Sequence, residues 1–159
     1  MDAIIADDHL LGWSLFQVQS GLQDKDGKTA LMYAAYKGST CFVNMLKKRE
    51  GGLRSANGMT ALMYAARSNK PEVVRLLIPL EAGLQDRGGI SIGNQCSALM
   101  HACYNGSLDA VMCLVSLEAE LRDSNNRTAM YYAVHCSSIV TPEKKEAVIR
   151  TISAIVPST

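Results

Sequence analysis

His101, Cys103 and Cys113 are the residues that first suggest chemistry, because imidazole and thiolate are ordinary zinc ligands. A zinc site needs four converging ligands at a recognised spacing, and no C-x-x-C occurs among Cys41, Cys96, Cys103, Cys113 and Cys136. His9 follows Asp7-Asp8, but no nucleophile neighbours it in sequence. Gly88-Gly89-Ile90-Ser91-Ile92-Gly93 is glycine-rich like a phosphate cradle, yet it lacks the G-K-[ST] ending and no strand pattern precedes it. Neither H-R-D nor D-F-G is present, so the chain carries no kinase signature. Lys47-Lys48-Arg49 is a short basic run at a helix end, where it complements the helix dipole as readily as it would meet a nucleic acid. These residues imply no enzyme, no metal and no cofactor.

The segment Gly27-Lys-Thr-Ala-Leu-Met-Tyr-Ala-Ala35 returns as Gly58-Met-Thr-Ala-Leu-Met-Tyr-Ala-Ala66. Weaker copies are Ser97-Ala-Leu-Met-His-Ala-Cys103 and Thr128-Ala-Met-Tyr-Tyr-Ala-Val134. The anchors Thr29, Thr60, Ser97 and Thr128 are 31, 37 and 31 residues apart. A period in this range marks a stacked repeat array, which presents an extended surface in place of a catalytic pocket. Cys103 then shares its slot with Ala35 and Ala66, and Cys113 shares its slot with Met45 and Leu76, so both thiols read as core. His101 occupies the slot of Tyr33, Tyr64 and Tyr132 and reads as structural filling.

One unit shows the local logic. Asn57-Gly58 is a turn dipeptide. Thr60 stands at a helix N-cap, where its hydroxyl is expected to accept from an early backbone N–H. A short helix over Ala61–Ser68 follows, and Pro71 opens a second helix at a position where its missing N–H costs nothing. Val73, Val74, Leu76, Leu77 and Leu80 form a 3.6-period apolar face, and Gly83 is the expected terminating residue. The spacing thus predicts an all-α solenoid of helix-turn-helix units with β-turn or hairpin loops, about four to five units including caps. The expected boundaries are 1–23 for an N-terminal cap, 24–54, 55–85 and 86–122 for internal units, and 123–159 for a C-terminal cap. In the first cap Leu10, Leu11 and Leu15 align with Cys41, Phe42 and Leu46. In the last, Thr141-Pro142-Glu143 begins a helix whose inner face is Val148, Ile149, Ile152, Ile155 and Val156.

Composition agrees with this picture. Of 159 residues, 48% are hydrophobic but only 6% aromatic, which suits closely packed aliphatic helices. The formal net charge of +1 gives no global field for nucleic acid or an anionic membrane, and no apolar run reaches the roughly 18 residues of a membrane span. An odd set of five cysteines implies reduced thiols. With an acidic start, Met1-Asp2-Ala3-Ile4-Ile5-Ala6-Asp7-Asp8, this implies an intracellular, reducing compartment, with the cytoplasm expected.

The stretch Asp24-Lys-Asp-Gly27-Lys-Thr29-Ala-Leu31-Met-Tyr-Ala34-Ala35-Tyr-Lys-Gly38 resembles the ankyrin repeat pattern D-x-x-G-x-T-P-L-H-x-A-A-x-x-G. The likeness runs through nearly the whole chain. Ala30, Ala61, Ala98 and Ala129 stand in place of the family's proline, and Met32, Met63, Met100 and Tyr131 in place of its turn-tying histidine. This T-A-L-M variant is similar to arrays found alone or behind kinase domains of the NIMA-related type. The resemblance implies a non-catalytic module or scaffold that binds a protein through its concave face and turn tips. The alternative is a regulatory or targeting segment of a larger enzyme such as a protein kinase.

Carried onto this sequence, the partner surface comprises the turn tips Lys25, Asp26, Lys28, Asn57, Met59, Arg87, Asn125 and Arg127. To these it adds the ends of the short helices, Tyr36, Lys37, Arg67, Ser68, Tyr104, Asn105 and His135. Arg and Tyr are favoured at binding hot spots, and the set tilts basic, so an acidic or phosphorylated protein segment is the expected partner. The six extra residues before Ser97 place Ile90 and Ile92 in an enlarged loop, which is either a specificity finger or a tolerated insertion. Trp13 either covers the open edge of the stack or anchors a partner. A monomer is expected, with weak self-association through Trp13 or the Ile90/Ile92 loop as the alternative.

Overall fold

The computed structural model describes residues 21–87 and 95–155. Within them the chain forms four helix pairs: α1 Ala30–Lys37 with α2 Thr40–Glu50, α3 Ala61–Arg67 with α4 Pro71–Glu81, α5 Ala98–Tyr104 with α6 Leu108–Glu118, and α7 Ala129–Val134 with α8 Pro142–Ile155. Odd-numbered helices pack on odd-numbered ones and even on even, so the pairs stack side by side in two layers. Among the described residues the sole β element is an isolated bridge, Gln85 to Ser97. It closes the base of the enlarged loop. Trp13, Leu10, Leu11, Leu15, His9, Ile90, Ile92 and Val156 lie outside the described residues.

The repeated Ala-Leu pairs explain the inner layer. Leu31, Leu62 and Leu99 are fully buried, and Ala34-Ala35, Ala65-Ala66 and Ala102-Cys103 give the short helices a flat, small-residue flank. Small flanks let neighbouring helices approach closely, and interiors packed this way tolerate little change in volume. Cys103 is thus a core side chain, and burial pushes its thiol far above the ordinary range. The outer helices contribute Phe42, Val43, Leu46, then Val73, Val74, Leu77, then Ala110, Val111, Leu114, and finally Val148 and Ile152.

The turn tips stack as well as the helices. Gly27 has φ +70°, and a Cβ on it would sit 2.6 Å from the Ala56 nitrogen of the next tip. Gly58 has φ +77° and is pressed in the same way against the Arg87 backbone. Ala56 N–H donates to the Asp26 carbonyl at 2.9 Å, tying the two tips. Later in the array the same left-handed slot is filled by Gln95 (φ 61°) and Asn126 (φ 63°).

Two features of the fold reverse the sequence expectation. Leu80 belongs to the apolar period but is 48% exposed, while its neighbour Glu81 is 1% exposed. Leu117 and Glu118 show the same inversion. The reason is a ladder of carboxylates. Glu50, Glu81 and Glu118 each end an outer helix and turn inward to the start of the inner helix of the same unit. One oxygen accepts from Leu31, Leu62 or Leu99 N–H, at 2.8, 2.6 and 2.8 Å respectively. The other accepts from Gly21, Gly52 or Gly83 N–H of the preceding unit, at 2.8, 2.9 and 2.9 Å. The helix start offers unpaired N–H groups and a favourable dipole, so a buried carboxylate is fully used there. The second reversal follows. The buried Thr60 hydroxyl has no hydrogen-bond partner, and the Leu62 N–H is taken by Glu81. At Thr29, where Glu50 likewise takes the Leu31 N–H, the hydroxyl also accepts, from Met32 N–H at 3.4 Å.

A second ladder runs along the turn side. Gln23 Nε2 donates to the Gly27 and Arg54 carbonyls at 2.8 and 2.7 Å. Arg54 donates onward to Gly58 and Gln85 at 2.9 and 2.6 Å, and Gln85 to Arg122 at 2.7 Å. The enlarged loop follows Gln85 and Asp86 in sequence, so it leaves this register intact.

Candidate protein-binding surface

Each turn is braced from inside. Asp24 accepts from Asp26 N–H and Lys28 N–H at 2.9 and 2.8 Å, and from the Tyr33 hydroxyl at 2.7 Å. The Tyr33 bond holds the Asp24 carboxyl below its ordinary value and pushes the Tyr33 phenol up to about 12. Asp123 repeats the arrangement with Asn125 N–H, Arg127 N–H and the Tyr132 hydroxyl, at 2.8, 2.8 and 2.6 Å. In the third unit Asp86 bonds Cys96 N–H and the His101 ring, both at 3.0 Å, so the imidazole is a brace partner. The second unit differs. Ser55 takes the aspartate's slot opposite Tyr64, and its buried hydroxyl has no partner.

These braces set the aromatic rings along the inner-helix face. Between the first two units they leave a cavity of about 310 Å³, lined by Lys28, Met32, Tyr33, Tyr36, Tyr64 and Arg67. Met32 and Tyr64 are buried and form a greasy floor, while Tyr36 is 52% exposed at the rim. Lys28 lies 5.8 Å from the Tyr33 ring centroid and 3.6 Å from Asp26, a long and half-exposed pair worth little. Arg67 stands exposed at the end of α3, and its carbonyl accepts from the Ser107 hydroxyl at 3.1 Å, which fixes that helix end against the third unit. Two cations and three tyrosines thus converge from two units.

The fourth unit brings together similar residue types with a different outcome. Arg127 donates from Nε to Asp123 at 2.7 Å and lies over the Tyr131 and Tyr132 rings at 4.8 and 5.4 Å. Tyr131 stacks on His135 with centroids 4.2 Å apart, and the His135 ring Nδ1 lies 2.9 Å from the Tyr131 carbonyl. Burial alone would raise the Asp123 carboxyl, but bonds from Tyr132 and Arg127 hold it below its ordinary value.

The sequence-derived surface residues therefore fall into distinct groups. Lys28, Tyr36 and Arg67 meet in the cavity. Lys25, Asp26, Lys37, Asn57, Arg87, Asn125 and His135 are exposed. Tyr104 is half-buried. Ser68 and Asn105 are half-buried, and each turns back on its own helix, to the Tyr64 carbonyl and the His101 carbonyl, both at 2.8 Å. Arg127 is held by Asp123. Met59 is a correction: it is 6% exposed and belongs to the core. Its slot is shared with Lys28 and Arg127, which lie over the Tyr33 and Tyr132 rings, and with the buried Cys96, so an apolar side chain there packs inward. Met32, Tyr33 and Tyr64 join the site although sequence reasoning assigned them to structure. Their spacing of three or four residues from Tyr36 or Arg67, which puts them on the same helix face, was the available signal.

Stacked helix pairs with protruding turns, a continuous two-layer core and a lined inner face define a helical repeat solenoid. The family model for ankyrin repeats (three copies) matches residues 1–88 and 79–141, and the chain belongs to the ankyrin repeat family. Ankyrin repeats are generally protein–protein interaction modules, typically without catalytic activity. No curated protein matches the chain. Among the described residues no helix is long and apolar enough to cross a membrane.

Proposed function

We propose that this chain is a non-catalytic scaffold that holds an acidic segment of a protein partner along the inner-helix face, with the cavity between the first two units as its anchor. The carrying observation is the convergence of Lys28, Tyr36 and Arg67 on one lined cavity. Hot spots are aromatic or Arg side chains around a desolvated pocket, and this cavity has both on its rim. The weak Lys28–Asp26 pair and the exposed Arg67 leave positive charge to steer and orient an acidic ligand. Tyr104 and His135 continue the same row toward the fourth unit, so a segment extended from the anchor follows them. The test is a titration of the 159-residue chain with a labelled, glutamate-rich peptide, followed by anisotropy at low and high salt. Saturable binding that weakens with salt and with Arg67→Glu is expected. Binding unchanged by both would defeat the reading.

A further inference from the structure

We propose that the cavity between the first two units takes the side chain of a phosphorylated tyrosine in the partner. This inference rests on the acidic-segment reading and narrows it. The cavity measures about 310 Å³, far more space than a lone carboxylate fills. Its floor is Met32 with the rings of Tyr33 and Tyr64, and the Tyr33 hydroxyl is spent on Asp24 at 2.7 Å. Its rim carries the ammonium of Lys28 and the guanidinium of Arg67. An occupant bearing charge alone leaves the apolar floor wet. An occupant bearing a ring alone leaves the Arg67 guanidinium unmatched and Lys28 with only its loose pair to Asp26. An aryl phosphate satisfies both, with the ring stacked among tyrosines in offset or edge geometry and the dianionic group at the rim. Arg favours phosphate through its planar fork of donors, which lysine lacks. The corresponding place in the fourth unit cannot do this, because Asp123 already occupies Arg127 at 2.7 Å.

The experiment uses four labelled peptides with one glutamate-rich flank and a different centre: phosphotyrosine, tyrosine, phosphoserine, or glutamate-phenylalanine. The phosphotyrosine peptide is expected to bind at least tenfold tighter than each of the others. Phenyl phosphate should compete with it at concentrations where inorganic phosphate does not. Arg67→Gln should reduce the phosphotyrosine peptide to the level of the tyrosine peptide, whereas Arg75→Gln on the outer helix should leave it unchanged. Equal affinity for all four peptides, or for phosphotyrosine and phosphoserine, overturns the aryl-phosphate proposal while the acidic-segment reading stands. Equal affinity for the glutamate-phenylalanine peptide overturns it in the same way. Binding of none of them overturns both.

Discussion

The first and fourth units carry the same kinds of side chain on the same face, yet only the first leaves them available. In the first, Lys28 and the neighbouring Arg67 border an open cavity, with Lys28 only loosely paired to Asp26 at 3.6 Å. In the fourth, Arg127 is drawn down onto Asp123 and covered by Tyr131, which His135 stacks upon in turn. The braces differ in one respect that decides this. Asp24 satisfies backbone N–H groups and Tyr33 without reaching a cation's fork, whereas Asp123 does both jobs with the same carboxylate. A row of arginines and tyrosines is therefore not yet a binding surface. Whether the charge is already neutralised within its own turn determines what it can offer a partner.

Breaking the fourth unit's brace has the largest expected effect. Asp123→Ala removes the acceptor of the Tyr132 hydroxyl, the Arg127 guanidinium and two backbone N–H groups. Lost bonds to a buried charge of this kind cost about 3 kcal/mol, read as a lower midpoint in urea denaturation. If the comparison is right, the variant also releases Arg127, and a second, weak site for the acidic peptide appears at the C-terminal end. No second site in a two-state-folded variant would mean that neutralisation is not what silences this unit. The same carboxylate has a pH signature. Because its folded pKa lies below the ordinary value of about 3.9, its contribution is complete above that value. It is lost as pH falls through the lower, folded pKa. Urea midpoints of the parent should therefore drop below about pH 4, and those of Asp123→Ala should drop less.

Arg67→Glu addresses the open cavity directly. It is expected to weaken the acidic peptide tenfold or more, about 1.4 kcal/mol, while the urea midpoint stays nearly constant because the side chain is exposed. Equal losses of binding and stability would show Arg67 to be structural. Tyr36→Ala comes next. A half-exposed rim aromatic contributes about 1 kcal/mol, or roughly fivefold in affinity, again by anisotropy.

Much of this organisation was legible in the sequence, and the omissions have physical causes. The period located the helix pairs because each unit must bury its flank on the next. It also assigned Cys103 and His101 to structure, which the buried thiol and the Asp86 bond agree with. What it misjudged was the outer-helix end. Hydropathy places Leu80 inside and Glu81 outside, and the fold does the opposite, because the Glu81 carboxylate accepts from two backbone N–H groups at once. The clue was present: a glutamate recurs nineteen residues after each of Leu31, Leu62 and Leu99. Met59 misled for a related reason, since a turn tip reads as surface while its side chain leans inward. The cavity itself was half visible. Exposed slots pointed to Tyr36 and Arg67, but the floor consists of residues whose repetition marked them as core.

The smallest expected effect tests why the cavity lies where it does. The second unit closes its turn with the same backbone bond as the others, Ser55 N–H to the Met59 carbonyl at 3.0 Å, but Ser55 replaces the aspartate and its hydroxyl is unpartnered. Ser55→Asp restores the slot that Asp24 and Asp123 fill. The new carboxylate would accept from neighbouring N–H groups and from the Tyr64 hydroxyl, a gain of about 0.5–1 kcal/mol after the charge is desolvated. Urea denaturation should register it as a slightly higher midpoint. The acid also adds negative charge beneath the cavity floor, so the acidic peptide should bind about twofold to threefold more weakly, with the difference shrinking in high salt. Greater stability with unchanged affinity would separate the brace from the site and place the cavity's selectivity wholly at its rim. A gain in one at the expense of the other would mean that the second unit lacks its aspartate for the sake of the surface it presents.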